Sequence, residues 1–551
     1  MGKLTELFGR SGLFRRATID QVHEDMEENP HKMKRVLTRW DLVWLGVACM
    51  IGSGIFQTPG DIASHAGPGV ILSYLWAGIA SMLVAFCFRE LAGLVNRSGS
   101  AYTYARLTLG ELAAWIIGFD LVVGEYAIGT GAVSGAWSTH AQLLVSELTG
   151  YKLPEYLQHA PLHPEWGMIA LLCGFAIAAG VGLWTSLPWG GRKFRPVVVA
   201  LSMAALVPAY YFYGLANITS IDLPAMSILV LLSGMLMFGT KLSAKFTVYL
   251  VFVKMAVIAV LLSVGVFHFH PANLSDFLPH GIAPTFAGAV TAFFSYIGFD
   301  YLSTLPEESQ NPKTDVPFAI VSSLTIVTVV YMATSAVLVG MMLWSMFSGP
   351  LLAAPFIAAI KFVHMDWLVP YIAVAIIVGL TTVLMTLLMG PSRILMNMAR
   401  DGLVSKEFGR INPKRGTPIW ALSAILVLVA IPAGIVPFDD LVNLTSIGTL
   451  FAFFMVAVGV MILRRLEPAH ERRFGVPFAG RDFHINLGFR TVTIHGYDII
   501  PGLAIVSCMV LMFNVAFAIW LRFIIVLAIG LIIYFSFGRK HSVLNRPNNE
   551  K

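Results

Sequence analysis

Apolar runs of about 20 residues, separated by short polar loops, recur along almost the whole chain. A run of that length fits a helix that crosses the hydrocarbon core of a bilayer. The alternating pattern of an outer-membrane barrel does not occur. The chain is therefore predicted to be an all-α polytopic membrane protein with about 14 transmembrane helices. We expect these helices to start near Leu42, Gly69, Leu112, Trp166, Val197, Pro224, Val248, Thr285, Pro317, Leu368, Ile419, Leu441, Ile499 and Arg522.

Composition agrees with this class. Of the 551 residues, 57% are hydrophobic and 12% are charged, and the mean hydropathy is +0.75. These values exclude an ordinary soluble globular protein. Four cysteines lie in apolar spans, at spacings that fit neither a metal site nor a disulfide framework. We therefore expect no metal and no cofactor.

The distribution of lysine and arginine predicts how the chain is oriented. Cytoplasmic loops collect positive charge, and an even number of spans puts both termini on one side. With the termini in the cytoplasm, 33 of the 37 Lys and Arg residues lie on the cytoplasmic side. Three lie on the outer side, Lys152, Lys361 and Arg522, and Lys254 lies within a span. The prediction is a multi-pass protein of the plasma membrane or a bacterial inner membrane, with both termini cytoplasmic. The net charge of +6 follows from this asymmetry, so we expect no nucleic-acid partner.

A serine between two glycines interrupts the first apolar span, in the stretch 50–56. Glycines at mid-span weaken a helix, and an unwound backbone is tolerated at that depth only where it lines a cavity. The free N–H groups of the second half would attract an anion such as a carboxylate. The alternative is that these small residues only let a neighbouring helix approach closely.

A second interruption, at 294–300, follows the first by about 240 residues. Two glycine-interrupted spans at corresponding positions of two halves are typical of transporters built from inverted repeats. The pair therefore favours a discontinuous-helix transporter over simple close packing.

Two ionisable residues are predicted to lie within the membrane. Glu125 falls near the middle of the third span, and it is either functional or a hydrogen-bonded structural group between helices. Lys254 lies about two turns in from the cytoplasm. It either snorkels back to the interface or serves as a resident cation of the core.

Taken together, these stretches resemble the cationic amino acid transporter family of the amino acid, polyamine and organocation (APC) superfamily. The resemblance covers most of the chain. It implies a LeuT-like core of 5+5 helices in inverted repeats, with further helices added to it. The stretches that carry it are Ile51–Phe56, Arg97–Tyr104, Ile297–Asp300, Pro306–Glu308, and Trp520–Arg522 with Lys540–Ser542.

The resemblance also implies how an amino acid would be held. Backbone amides near Ser53–Ile55 would meet its carboxylate, backbone carbonyls of both interrupted spans would meet its ammonium, and Glu125 would lie near it. Lys254 matches a lysine that, in proton-coupled relatives, occupies the position where sodium-driven relatives bind an ion. The partners expected are an amino acid, a proton and the lipid bilayer. The substrate-binding residues implied are Ile51, Gly52, Ser53, Gly54, Ile55, Phe294, Ser295, Ile297, Gly298 and Glu125.

We expect the following division of the chain on this basis. A hairpin at 148–222 interrupts the first repeat, a departure from the family pattern that leaves room for an unknown protein partner. The segments are a cytoplasmic N-terminal segment (1–40), the first three helices of a transport core (41–147), the extra hairpin (148–222), the remainder of the core (223–465), a cytoplasmic loop (466–497), a C-terminal helix pair (498–538) and a cytoplasmic tail (539–551).

The function expected is secondary active transport of amino acids, coupled to protons and working by alternating access. An amino acid exchanger and a transporter-like amino acid sensor stay open as alternatives. A channel is disfavoured because no repeated filter or ring of charge is present. An enzyme is disfavoured because clustered nucleophiles and metal ligands are missing from the sequence pattern.

Overall fold

The computed structural model describes residues 15–18, 35, 37–95, 97–160, 220–237, 244–348, 354–412, 417–466, 472, 474–478, 481–486 and 491–545. The chain divides into two compact units, each built from three separate stretches. Unit 1 comprises Met1–Gly118, Ala244–Val363 and Ser446–Ala516. Unit 2 comprises Phe119–Ser243, His364–Thr445 and Phe517–Lys551.

Helices account for almost all regular structure in the described residues. In chain order they are α1 (Arg39–Met50), α2 (Ser53–Phe56), α3 (Thr58–Ala66), α4 (Val70–Leu94), α5 (Ser100–Thr108), α6 (Glu111–Asp120), a π-helical segment (Leu121–Ala127), α7 (Ile128–Thr149), α8 (Leu223–Met237), α9 (Ala244–Phe267), α10 (Ala283–Phe294), α11 (Pro312–Met341), α12 (Pro355–Phe362), α13 (Val369–Arg400), α14 (Ile419–Ile435), α15 (Phe438–Leu466), α16 (Gly496–Phe513), α17 (Phe517–Ile533), a second π-helical segment (Tyr534–Gly538) and the single turn α18 (Arg539–His541).

The predicted polytopic all-α architecture is confirmed. Within the described residues, eight helical stretches are long and apolar enough to cross a membrane. Every predicted helix start that falls on described residues has a helix beginning within about five residues of it. The predicted starts near Trp166 and Val197 lie outside the described residues. Pro317, expected at a helix start, lies inside α11 instead, because that helix already begins at Pro312.

Local chemistry sets the start of α1. Thr38 caps this helix, since its Oγ1 accepts a hydrogen bond from the Asp41 amide at 3.3 Å. The Asp41 carboxylate in turn accepts a hydrogen bond from the Thr38 amide at 2.9 Å. This reciprocal capping box satisfies two amides that a helix start would otherwise leave without partners.

Within unit 1, α4 and α11 pack along each other and form its centre. Helix α10 packs on α4, whereas α1 and α9 pack on α11 and on each other. This arrangement brings the helices that carry both interruptions against the same central pair.

Within unit 2, α13 packs along α7, and α14 packs on both α8 and α7. The residue before α8, Asp222, receives a hydrogen bond on Oδ1 from Ser138 Oγ of α7 at 2.6 Å. The same oxygen accepts from the Ala225 amide at 3.0 Å, so Asp222 caps α8 while it holds α7.

The predicted cytoplasmic loop contains a feature that the sequence reasoning missed. Two short strands, β1 (Asp482–Asn486) and β2 (Thr491–His495), pair antiparallel, with Asp482 opposite His495 and Asn486 opposite Thr491. The hairpin leads directly into α16. The all-α description therefore holds for the spanning elements, with one small β-hairpin added in this loop.

Candidate functional site

The first interruption lies where the glycines predict it. Helix α1 ends at Met50, Ile51 is extended (φ −73°, ψ 92°), and Gly52 has φ −141° and ψ −141°. Only then does α2 begin, at Ser53. Residues 51–56 are all buried. The interruption therefore exposes backbone groups to the protein interior rather than to lipid, as a break at membrane depth requires.

The second interruption follows α10. This helix ends at Phe294, and a turn leads to the 3₁₀-helix Asp300–Thr304. Gly298 lies in that turn with φ +116°, and a Cβ there would lie 2.6 Å from the Sγ of Cys49. Only glycine adopts this backbone conformation without strain and leaves room for α1 at the same time. Both discontinuous helices expected from the sequence, near 50–56 and 294–300, are thus present.

The two interruptions contact each other. A Cβ built on Gly54 would lie 2.5 Å from the Cα of Ser295 and 2.6 Å from its Cβ. Gly54 therefore permits an approach of backbone to backbone that no larger residue allows. We call this contact region, residues 50–55 and 294–298, the junction.

Lys254 reaches the junction from α9. Its side chain is 1% exposed, and Nζ donates hydrogen bonds to the carbonyl oxygens of Ile51 at 2.6 Å and Ala48 at 3.2 Å. In an uninterrupted helix these carbonyls would accept from amides four residues further on. The interruption removes those donors, since the Ile55 amide bonds the Gly52 carbonyl instead. The lysine thus supplies hydrogen bonds that the unwound backbone has lost.

Three buried tyrosines lie in or against the junction, and the sequence analysis singled out none of them. Tyr331 of α11 packs its ring against Tyr74 of α4 and Tyr296 of the second interruption, with ring centroids 5.5 and 5.2 Å apart. The Tyr74 hydroxyl donates a hydrogen bond to the Gly54 carbonyl at 3.0 Å, and the Tyr296 hydroxyl donates one to the Tyr74 carbonyl at 2.8 Å. The available signal was a tyrosine in mid-span, because a buried phenol needs a polar partner.

Tyr331 contacts a backbone carbonyl of each interruption. Its hydroxyl lies 2.6 Å from the Met50 carbonyl oxygen and 2.7 Å from the Ser295 carbonyl oxygen. Thr58 adds a second donor to the Gly54 carbonyl from the start of α3. The unwound backbone is therefore held by side-chain hydroxyls from several helices.

The structure brings together every predicted site residue that belongs to unit 1. Ile51, Gly52, Ser53, Gly54 and Ile55 lie in the first interruption, and Phe294, Ser295, Ile297 and Gly298 lie in the second, with Lys254 beside them. All of them are buried.

Glu125 belongs to unit 2. It is 1% exposed and lies in the π-helical segment Leu121–Ala127, within the third predicted span. Short π-helical stretches often occur at functional sites. Asp120, directly before this segment, is fully buried.

Comparison with known proteins supports the resemblance that the residues indicated. The sequence profile of the amino acid permease family matches residues 37–537, nearly the whole chain. The chain belongs to this family of amino acid permeases. It is accordingly a multi-pass membrane transporter and not an enzyme.

The permease is similar to transporters named for different substrates. It is 33% identical to a methylthioribose transporter of Bacillus subtilis over 97% of this chain and 100% of that protein. It is 32% identical to a branched-chain amino acid permease of the same organism, over 98% of this chain and 100% of that protein. A cationic amino acid transporter of Arabidopsis thaliana is 30% identical over 81% of this chain and 65% of the relative.

Proposed function

We propose that this permease is a secondary active transporter that carries amino acids together with protons by alternating access. The observation that carries the proposal is the junction, where two unwound helix segments meet inside the protein with their backbone groups turned to the interior. Binding substrate on discontinuous helices at mid-membrane is the way many secondary transporters work.

The backbone at the junction suits both ends of an amino acid. The amides of Ser53 and Gly54 are the first of α2, and the first amides of a helix have no intrahelical acceptor. They are therefore available to a carboxylate. The carbonyls of Ile51 and Ser295 already accept from Lys254 and Tyr331, but each carbonyl oxygen has a second lone pair for an ammonium.

The proton is assigned to Lys254. Its ammonium bridges the carbonyl of Ile51 in the first interruption and that of Ala48 in the last turn of α1, which is the kind of contact that a bound sodium ion would make with backbone oxygens. Gaining or losing a proton would therefore tighten or loosen the first interruption. In this scheme the proton stabilises one conformation of the carrier and is released on the cytoplasmic side.

We propose amino acids in general as the substrate, and not the particular substrate of any one relative. The similarity to a branched-chain amino acid permease and to cationic amino acid transporters favours amino acids. The equally extensive similarity to a methylthioribose transporter supports a second candidate, a thioether sugar. Such a sugar has no carboxylate and no ammonium, so it would not use the two ends of the junction in the same way.

Uptake into proteoliposomes tests the proposal. The purified permease is reconstituted and offered labelled leucine, valine, alanine, lysine, arginine and methylthioribose, each under an inward proton gradient or an inward sodium gradient. We expect accumulation of at least one amino acid with the proton gradient and none that requires sodium. Uptake of methylthioribose alone would support the second candidate. Binding without uptake would favour a sensor, and uptake only into preloaded vesicles would favour an exchanger.

Two features outside the junction stay predictions. Both termini are expected on the cytoplasmic side, and the hairpin at 148–222 is expected to pack outside the core, where a protein partner could bind. Labelling of single engineered cysteines at both termini from either side of the membrane tests the first expectation.

A further inference from the structure

We propose that Tyr331 is a positioning residue whose hydroxyl stands in for the substrate's ammonium at the junction when no amino acid is bound. The proposal rests on the proposed function, since it assumes that an amino acid binds between the two interruptions. It assigns a role to a residue on α11 that lies outside both interrupted segments.

The hydroxyl faces more acceptors than it can satisfy. Its oxygen lies 2.6 Å from the Met50 carbonyl and 2.7 Å from the Ser295 carbonyl, but a phenol carries a single proton. At any moment one of the two carbonyls receives the hydrogen bond, and the other faces a phenol oxygen without a proton between them. A second donor placed there would relieve that contact.

The described residues supply no other donor to either carbonyl. The Met50 carbonyl would be bonded by the Gly54 amide in an uninterrupted helix, and the break after Met50 removes that bond. No backbone amide in the described part of the chain donates to the Ser295 carbonyl. Leaving a buried carbonyl without a donor is costly, so one proton is shared by two groups that both need one.

The neighbouring carbonyls are different. Gly54 receives hydrogen bonds from both Tyr74 and Thr58, and Ile51 receives one from Lys254. At Tyr331, by contrast, one hydroxyl proton has to serve two carbonyl acceptors. An ammonium, which has three N–H groups, is the chemical group that would make up this difference.

The consequence concerns the empty carrier. During net uptake the permease must return without substrate, and in that state Tyr331 is the donor that holds Met50 and Ser295 together. With an amino acid bound, the ammonium supplies donors to the same carbonyls. Removing the hydroxyl therefore raises the free energy of the empty carrier more than that of the loaded one.

Tyr331→Phe tests this, because it removes the hydroxyl and keeps the ring against Tyr74 and Tyr296. The labelled probe is whichever panel amino acid the wild type accumulates best. Net uptake into empty proteoliposomes should fall about tenfold, whereas exchange into vesicles preloaded with the same amino acid should stay within about twofold. The KM for exchange should fall, because the empty state is the one destabilised.

Tyr104→Phe is the matched control. Tyr104 is also buried, at 1% exposure, but it lies on α5 with its ring packed against Phe88, and its hydroxyl does not bond the Met50 or Ser295 carbonyl. We expect both net uptake and exchange to stay at wild-type rates. If Tyr331→Phe lowers net uptake and exchange equally, or leaves the ratio of the two unchanged, the role proposed for Tyr331 is wrong.

A second measurement covers the case in which Tyr331→Phe does not fold. A fluorinated tyrosine introduced at 331 keeps the shape and the hydroxyl but makes it a stronger donor. It should stabilise the empty carrier and raise the KM, the opposite direction to phenylalanine, and an unchanged KM would overturn the proposal. Failure of the proposed function is distinguishable, because then the wild type itself would take up none of the amino acids.

Discussion

The Cα of Ser295 lies 2.5 Å from the position that a Cβ on Gly54 would occupy. Two unwound segments from distant parts of the chain thus meet with backbone against backbone. Because the contacted atom belongs to the main chain and not to the tip of a flexible side chain, the contact cannot relax by a change of rotamer. The two interruptions can come this close only because residue 54 is glycine, which has no Cβ.

The first prediction follows from this contact. Gly54→Ala should push the two interruptions apart and abolish most amino acid uptake, with an overpacking cost of about 1–3 kcal/mol in the free energy of unfolding. Gly54→Leu should have the same effect on uptake and a larger one on stability. Uptake and thermal unfolding of the reconstituted and detergent-purified variants measure the two effects.

Gly135→Ala is the control for that change. Gly135 lies on α7, and nothing lies within 4 Å of a Cβ built there. Alanine should therefore be neutral or slightly stabilising at this position. Wild-type uptake by Gly54→Ala would show that the junction does not need this approach.

The second prediction concerns Glu90, near the end of α4. Its carboxylate, 2% exposed, accepts a hydrogen bond from Arg464 Nε at 2.8 Å and from the Val476 amide at 3.0 Å. Arg472 Nε lies 3.2 Å from the same carboxylate. Glu90→Ala leaves these largely buried guanidinium groups, whose side chains are 9% and 11% exposed, without their counterion, so we expect a loss of about 3–5 kcal/mol in the free energy of unfolding. Thermal unfolding in detergent provides the measurement.

An exposed ion pair gives the contrast. Arg410 Nη1 lies 2.8 Å from Glu407 Oε2, but the arginine side chain is 71% exposed. Glu407→Ala should therefore cost no more than about 1 kcal/mol. Equal losses in the two variants would contradict the structural role of Glu90.

The third prediction is a pH dependence of stability at Asp222, in the loop before α8. Burial raises the pKa of this carboxyl to about 6, although hydrogen bonds from Ser138 and the Ala225 amide act in the opposite direction. Because the folded-state pKa is above the unfolded value, ionisation destabilises the folded protein. The contribution of Asp222 to stability is therefore fully present below about pH 4 and is lost as the pH rises through about 6.

Asp222→Asn isolates this effect, since the amide keeps an oxygen for the Ala225 amide and does not ionise. The wild type should lose about 2–3 kcal/mol relative to the variant between pH 4 and pH 7. The difference between the two melting temperatures, followed across this range, provides the measurement. A difference that does not change with pH would show that folding does not raise the pKa of Asp222.

The interruptions themselves were predictable, because glycines at mid-span are visible in the sequence as a local conflict with the apolar pattern. The same holds for the helix starts, since the length of an apolar run fixes them to within a turn or so. The junction was less accessible. That Gly54 meets Ser295 depends on packing between segments that the chain does not bring together locally.

Tyr331 and Glu90 show what local pattern cannot supply. Tyr331 lies 281 residues from Met50 in sequence, and nothing in its own neighbourhood indicates two carbonyl partners. The sequence places Glu90 as a charge at a helix end near the membrane interface, yet it is buried and accepts hydrogen bonds from Arg464 and Val476, which follow it by 374 and 386 residues. Both roles are created by tertiary packing of polar groups.

The last prediction concerns Lys254, whose Nζ bridges the Ala48 and Ile51 carbonyls. If the coupled proton resides on this nitrogen, uptake should not need sodium and should rise when the outside is acidified. Lys254→Met keeps the apolar length of the side chain and removes the proton site. The variant should retain exchange at a reduced rate, because the substrate-binding backbone is still present, but its uptake should no longer respond to a pH gradient.

If the lysine only fills space or stabilises the interruption, the outcome differs: the methionine variant would be less stable and slower, yet acidification would still stimulate its uptake. Lys361→Ala, at an exposed lysine of α12, controls for the loss of a positive charge elsewhere in the protein. The decisive quantity is therefore the ratio of uptake with and without the proton gradient, measured for the same protein in the same vesicles. A ratio that stays at the wild-type value in Lys254→Met, or a strict sodium requirement in the wild type, would place the coupling ion somewhere other than Lys254.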